Sequence, residues 1–94
     1  MIILRIEHAV PDFEEWKKAF DSDPINRKQS GVLSYRIFRR ADDAKFVLLD
    51  LAFNTTQEAE DCLSKLQKLW NRIQGKIMVG PQTAILELLE EVQL

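Results

Sequence analysis

The chain has 94 residues, of which 46% are hydrophobic and 30% are charged, with three glycines and three prolines. This composition is typical of one globular domain over residues 1–94 and argues against disorder. The net charge of −2 and the single cysteine exclude a basic nucleic-acid surface, an internal disulfide and a cysteine-based zinc site. Since no stretch approaches about 18 apolar residues and the apolar N-terminal run is too short for a signal peptide, we expect a cytoplasmic protein that binds no membrane.

Hydrophobic periodicity predicts six elements in the order βαββαβ. They are a strand at Ile2–His8, a helix opened by Asp12, strands at Val32–Arg39 and Phe46–Phe53, a helix opened by Thr55, and a strand at Gln82–Glu90. Both helix starts match a capping box, Asp12 with Glu15 and Thr55 with Glu58, in which the first side chain accepts hydrogen bonds from the first turn.

Turn signals separate these elements. Asp23-Pro24 ends the first helix, because the residue before a proline is pushed out of the helical region. Residues 25–30 are expected to add one helical turn, which Gly31 stops, and the polar residues 40–45 predict a hairpin. Gly75 is expected to close the second helix, and residues 76–81 to form a linker.

This element order with right-handed crossovers predicts a ferredoxin-like α+β fold, a four-stranded antiparallel sheet with two helices on one face. Strand alternation gives the sheet one face toward the helices and one open face. The residues predicted to face the helices are Ile2, Leu4, Ile6, Leu33, Tyr35, Ile37, Val47, Leu49, Leu51, Phe53, Leu86 and Leu88. Those predicted on the open face are Ile3, Arg5, Glu7, Val32, Ser34, Arg36, Phe38, Phe46, Leu48, Asp50, Ala52, Thr83, Ile85, Glu87 and Leu89.

The open face carries more apolar surface than a monomer leaves in water. Two interpretations are open. Either its charges form cross-strand pairs on a solvated face, or a second copy covers it and the charges line or seal a cavity between the two sheets. The size of the apolar patch favours the covered face, and therefore a homodimer.

Seven side chains are candidates for a functional site. The candidate catalytic groups are His8, Arg5 and Asp50, and the candidate substrate-binding groups are Arg36, Glu87, Trp16 and Arg27. The only histidine suits a general base because its ordinary pKa lies near neutrality, or a structural role bonded to nearby backbone or to Asp12. Arg27 suits anion binding, or a salt bridge with Asp21 or Asp23.

The expected strand order 4-1-3-2 makes Arg5 a neighbour of two acids, Asp50 and Glu87. Either a closed ion pair results, or a polar patch that orients a substrate carboxylate or phenol. Trp16 lies on an apolar helical stripe, so it packs in the core or borders a pocket with its ring edge. One histidine and one cysteine lack metal-ligand spacing, and we predict neither a metal nor another cofactor.

The segment His8–Phe13, followed by Trp16 and Phe20, resembles the opening of small dimeric α+β barrel proteins. The pattern continues through Arg27, Gly31, Arg39, Asp42, Asp43, Val47, Leu51–Phe53 and Ala59 to Gly80-Pro81. Over about Ile3 to Glu90 the chain is similar to the antibiotic-biosynthesis-monooxygenase-like and cyclase-like group.

That resemblance implies a dimer of two ferredoxin-like subunits packed sheet against sheet. It also implies a small apolar or aromatic ligand, and oxygenase- or cyclase-type chemistry without a cofactor if the protein is an enzyme. A non-catalytic ligand-binding or regulatory dimer, or one whose sheet interface is fully packed, is the alternative.

Overall fold

Four strands form one antiparallel sheet in the order β2-β3-β1-β4. The computed structural model describes residues 1–73 and 78–94. Its elements are β1 (Ile2–Ala9), α1 (Phe13–Asp21), β2 (Ser34–Arg40), β3 (Asp43–Phe53), α2 (Thr56–Ile73) and β4 (Val79–Glu87). The predicted ferredoxin-like α+β fold is confirmed, as is the position of β1 between β3 and β4.

Side-chain caps start both helices where the sequence predicted them. A carboxylate oxygen of Asp12 accepts a hydrogen bond from the Glu14 N–H at 3.0 Å, and the Thr55 hydroxyl accepts one from the Glu58 N–H at 3.1 Å. Each bond satisfies a backbone donor that the first turn of a helix leaves without a partner. Among the described residues, neither helix is long and apolar enough to cross a membrane.

Two connections differ from the prediction. Residues 25–30 form turns instead of helix, and Asp23 and Asn26 have φ angles of 52°, which an α-helix does not contain. The last strand starts at Val79, so Gly80-Pro81 belongs to β4, and it ends at Glu87. A proline is tolerated there because β4 is an edge strand. The predicted helix end at Gly75 lies outside the described residues.

The two faces of β4 are the reverse of the prediction. Leu4 pairs with Ile85, and Ile3 pairs with Leu86. Directly opposed residues of neighbouring strands share a face, so Ile85 packs against the core while Leu86 lies on the open face. Glu87 pairs with Ile2 on the helix side, and is therefore not on the face that carries Arg5.

The core lies between the sheet and the helices, and β1 and β3 supply its centre. Its most deeply buried members are Leu4, Ile6, Val47, Leu51, Phe53, Ala59 and Cys62. Two assignments before β2 are corrected. Val32 packs against this core although alternation placed it on the open face, and Leu33, predicted to face the helices, is 51% exposed. Both residues precede Ser34, where β2 begins, so strict alternation does not extend to them.

Candidate functional site

A cavity of about 250 Å³ lies between the sheet and the helices. Its wall is mainly apolar and aromatic, and is formed by Ile6, His8, Trp16, Ala19, Phe20, Ser22, Pro24, Ile25, Arg27, Leu49, Leu51, Leu66, Leu69, Trp70 and Met78. A dry engineered cavity of about 150 Å³ accepts benzene, so a molecule of one or two rings suits this one. The cavity lies within a single chain, whereas the sequence pointed to a cavity between two sheets.

His8 is the one histidine and is buried in the cavity wall, with 2% of its surface exposed. It continues the buried alternation of Leu4 and Ile6 along β1. Its Nδ1 lies 3.2 Å from the carbonyl oxygen of Ala9. Since a carbonyl only accepts hydrogen bonds, Nδ1 carries the proton and Nε2 is left as an acceptor.

Burial lowers the pKa of His8 below its ordinary value, because the charged imidazolium loses solvation. The ring is therefore neutral near pH 7. The local backbone hydrogen bond expected of a structural histidine is present, formed with Ala9 rather than with Asp12. That bond leaves Nε2 available for a ligand, so the structural and chemical roles are compatible in one residue.

Arg27 reaches the cavity from the loop that follows α1, and its side chain is 15% exposed. Its Nη1 donates to the carbonyl oxygen of Phe20 at 2.6 Å, and its Cζ lies 3.9 Å from the centroid of the Phe20 ring. Of the two predicted salt bridges, the one with Asp23 is present at 3.5 Å, while Asp21 pairs with Lys17. The guanidinium is thus held in place by both a hydrogen bond and a cation–π contact.

A continuous row of ring contacts connects His8 with Arg27. The centroid distances are 5.5 Å from His8 to Trp16 and 5.4 Å from Trp16 to Phe20, with the Arg27 guanidinium over the Phe20 ring. Tyr35 closes the end of the row with an edge contact of 5.0 Å to Phe20. The rings of His8, Trp16 and Phe20 line the cavity, and their contacts hold His8 and Arg27 in position.

Three of the other candidates, Arg5, Asp50 and Arg36, lie on the open face of the sheet. Arg5 and Asp50 are directly opposed across β1 and β3 and form a closed ion pair. Arg36 lies 3.8 Å from the same carboxylate. The hydrogen bond to Asp50 raises the pKa of Arg5. The alternative pairing with Glu87 is not formed, because that residue lies on the other face.

The structure therefore divides the seven candidates. His8, Trp16 and Arg27 line the cavity, and Arg5, Asp50 and Arg36 meet on the open face. Glu87 joins neither group. Sequence reasoning did not select Phe20, Leu66 or Met78 as wall residues, because an apolar side chain that faces a cavity has the same spacing as one that faces the core. Within the described residues, no group of three or more His, Cys, Asp or Glu side chains could hold a metal ion.

No protein-family model and no curated protein matches this chain. Solved structures match it over nearly their whole length. SnoaB, a cofactor-independent oxygenase from Streptomyces nogalater, has a TM-score of 0.75 at 8% identity, over 97% of this chain and 95% of its own. A proposed antibiotic biosynthesis monooxygenase from Bordetella bronchiseptica has a TM-score of 0.70 at 14% identity, over 95% and 98%.

A third match is described as a dimeric ferredoxin-like protein from an uncultured marine organism, with a TM-score of 0.64 at 11% identity over 97% of both chains. At these identities the likeness shows the fold. The chain has the ferredoxin-like fold of antibiotic biosynthesis monooxygenase-like proteins, which confirms the resemblance seen in the sequence. The likeness assigns neither a ligand nor a reaction to this chain.

Proposed function

We propose that this chain forms a homodimer whose subunits each bind a small apolar or aromatic molecule in the cavity between sheet and helices. We further propose that bound aromatic molecules are transformed by oxygenase-type chemistry without a cofactor. The observation that supports this is the neutral, buried His8 in a mainly apolar and aromatic wall. A cytoplasmic location and the absence of a cofactor remain predictions from the sequence.

His8 is the proposed general base. Because Nδ1 donates its proton to the Ala9 carbonyl, Nε2 is the ring nitrogen that carries no proton and can accept one. Removing the proton from a phenolic hydroxyl leaves an electron-rich ring, which is the activation that dioxygen requires when no cofactor supplies electrons. The apolar wall withholds water from that ring, so shaping and desolvation complement the base.

A second copy is the proposed cover of the open sheet face. That face presents Ile3 and Leu48 at its centre, with Phe38 and Leu86 each 39% exposed on the outer strands. The Arg5–Asp50 pair satisfies two of the charges on this face, so these two groups can be buried as a closed ion pair. The dimeric description of one structural neighbour supports this arrangement.

Ligand binding is measured through tryptophan fluorescence, because both tryptophans of the chain, Trp16 and Trp70, line the cavity. Hydroxylated naphthalenes are suitable probes for the volume. We expect saturable quenching in the unmodified protein and its loss in Ala19→Phe, which places a ring in the cavity. Ala41→Phe at the exposed hairpin turn is the matched control. Failure of every probe to bind would contradict the proposal.

A non-catalytic ligand-binding or regulatory dimer is the second candidate. The closed Arg5–Asp50 pair favours its packed sheet interface, because these two groups satisfy each other and neither is left for a substrate. Oxygen consumption and product mass, measured with the probes that bind, separate the two functions. Turnover that Ala19→Phe abolishes supports the enzyme, while saturable binding without oxygen uptake supports the regulatory dimer.

A further inference from the structure

The charges in the cavity wall are all of one sign. Arg27 carries a permanent positive charge, His8 is the other ionisable group, and no Asp or Glu is among the described wall residues. Asp23, which balances part of the charge of Arg27, lies outside this wall. A negative charge placed in the cavity therefore meets a cation and no carboxylate among the described wall residues.

Arg27 also retains hydrogen-bonding capacity. Among residues 1–73 and 78–94, the Phe20 carbonyl is the one hydrogen-bond partner of the Arg27 side chain, and it is bound by Nη1. In the same part of the chain, no side-chain nitrogen or oxygen is buried without a partner. The Nε and Nη2 groups are consequently open to solvent or to the cavity. The Arg27 guanidinium thus has two available donors and is held in place over the Phe20 ring. Such a group suits a carboxylate, which accepts two hydrogen bonds from a guanidinium.

The remaining polar groups of the wall restrict the ligand further. Trp16 offers an N–H donor, and the hydroxyl of Ser22 donates to the Ala19 carbonyl at 2.6 Å. Trp70 offers a second indole N–H, and the side-chain nitrogen and oxygen acceptors of the described wall residues are His8 Nε2 and Ser22 Oγ. Donors therefore outnumber acceptors in the wall, and His8 Nε2 is the acceptor that has no proton of its own to donate. The complement of this wall is a molecule with one anionic acceptor group and one hydroxyl donor.

We propose that the ligand is a hydroxylated aromatic carboxylate of one or two rings. Its carboxylate is bound by Arg27, its hydroxyl donates to Nε2 of His8, and its rings lie along Trp16 and Phe20. This inference rests on the proposed function, since it names the chemical class that the same cavity binds. It adds a specificity role for Arg27, separate from the proposed base.

The test compares four naphthalenes that differ by one group at a time: hydroxynaphthoate, naphthoate, naphthol and naphthalene. We expect hydroxynaphthoate to bind at least about tenfold more tightly than naphthol, because a charge-assisted hydrogen bond is worth that much in affinity. Naphthoate, which lacks the hydroxyl, should also bind less tightly than hydroxynaphthoate. This comparison uses the unmodified protein, so it does not depend on any variant folding.

Arg27→Gln should weaken binding of the carboxylates more than binding of naphthol, so that the preference for the carboxylates is lost. Arg27→Lys keeps the charge and should restore part of the preference. Lys68→Gln removes one exposed positive charge from α2 and should change nothing, which separates a local contact from the overall charge. Salt should weaken binding of the carboxylates but not of naphthol.

Three results would overturn the inference in different ways. Equal affinity for naphthol and hydroxynaphthoate, with binding still abolished by Ala19→Phe, refutes the anionic ligand and leaves the proposed function intact. Absence of binding by all four compounds removes the proposed function and this inference together. A preference for carboxylates that survives Arg27→Gln would also refute the assigned role of that residue.

Discussion

Arg5 and Asp50 are joined by two parallel hydrogen bonds, Nε to Oδ1 and Nη2 to Oδ2, both of 2.8 Å. The two residues face each other across β1 and β3, and Asp50 is 3% exposed on the open sheet face. Arg5 keeps more contact with solvent, with 38% of its side chain exposed. The buried carboxylate thus depends on the arginine for its charge compensation.

Asp50→Ala should lower the free energy of unfolding by about 1–2 kcal/mol, since it leaves a partly exposed guanidinium unpaired. Urea denaturation followed by circular dichroism measures this. Arg40 and Asp42 form a pair of the same geometry at the exposed hairpin, with bonds of 2.9 Å. Asp42→Ala is the control and should leave stability unchanged, because water replaces the lost partner. If both substitutions lowered the free energy of unfolding equally, the buried Arg5–Asp50 pair would contribute no more to stability than the exposed Arg40–Asp42 pair.

Phe38→Glu should convert the proposed dimer into a monomer, because it places a charge on the face that the second copy covers. Light scattering over a dilution series should give twice the chain mass of 10.9 kDa for the unmodified protein. Gln67→Glu adds the same charge on the exposed side of α2 and should not change the mass. A monomer at every concentration of the unmodified protein would refute the dimer, and would leave the apolar face to a different partner.

His8 should make the protein less stable in mild acid. Its pKa is lowered by burial in the folded state, so below about pH 6.5 the unfolded chain binds more protons than the folded one. The stability contributed by the neutral His8 is complete above the pKa of histidine in the unfolded chain. It is lost as the pH falls toward the pKa of His8 in the folded protein, by at most about 1.4 kcal/mol per pH unit. Because His8 is the only histidine, His8→Phe should flatten this part of the stability profile. A profile that the substitution leaves unchanged would contradict the prediction.

Gly31→Ala should cost about 1–2 kcal/mol of stability. Gly31 has a φ of +93°, and an added Cβ would lie 2.7 Å from Oε2 of Glu58, so that side chain must also move. Gly80 has a φ of +55° with no atom within 4 Å of its added Cβ, and Gly80→Ala is the control for backbone strain alone. Thermal melts should show the larger loss for Gly31. The reverse order would indicate that contact with Glu58 is unimportant.

The parts of the fold that were predicted correctly depend on local signals. Asp12 and Thr55 specify helix starts because each cap needs only the backbone donors of its own first turn. The chain order of strands and helices then restricts the topology to few arrangements, of which the ferredoxin-like one is observed. Turns with positive φ at Asp23 and Asn26 were missed, since neither residue requires that conformation.

The division of the site could not be predicted, because it depends on distances between residues far apart in the chain. His8 and Arg27 were each selected by residue type, but their common wall arises from the packing of α1 and its loop on β1 and β3. Arg5 and Asp50 were correctly paired, because strand order alone makes them neighbours. Glu87 was grouped with them because the strand faces of β4 were reversed.

The sequence by itself determined the order of the elements, both helix caps and the burial alternation of β1, since each follows from residues near one another. Only the tertiary structure decided which face of β4 meets the core. Apolar residues stand at both odd and even positions in this part of the chain: Ile85 and Leu89, Leu86 and Leu88. Alternation therefore cannot tell which face of the strand packs against the core. The pairing of Leu4 with Ile85 makes that choice, because a shift of one residue in register turns every side chain of a strand to the other side.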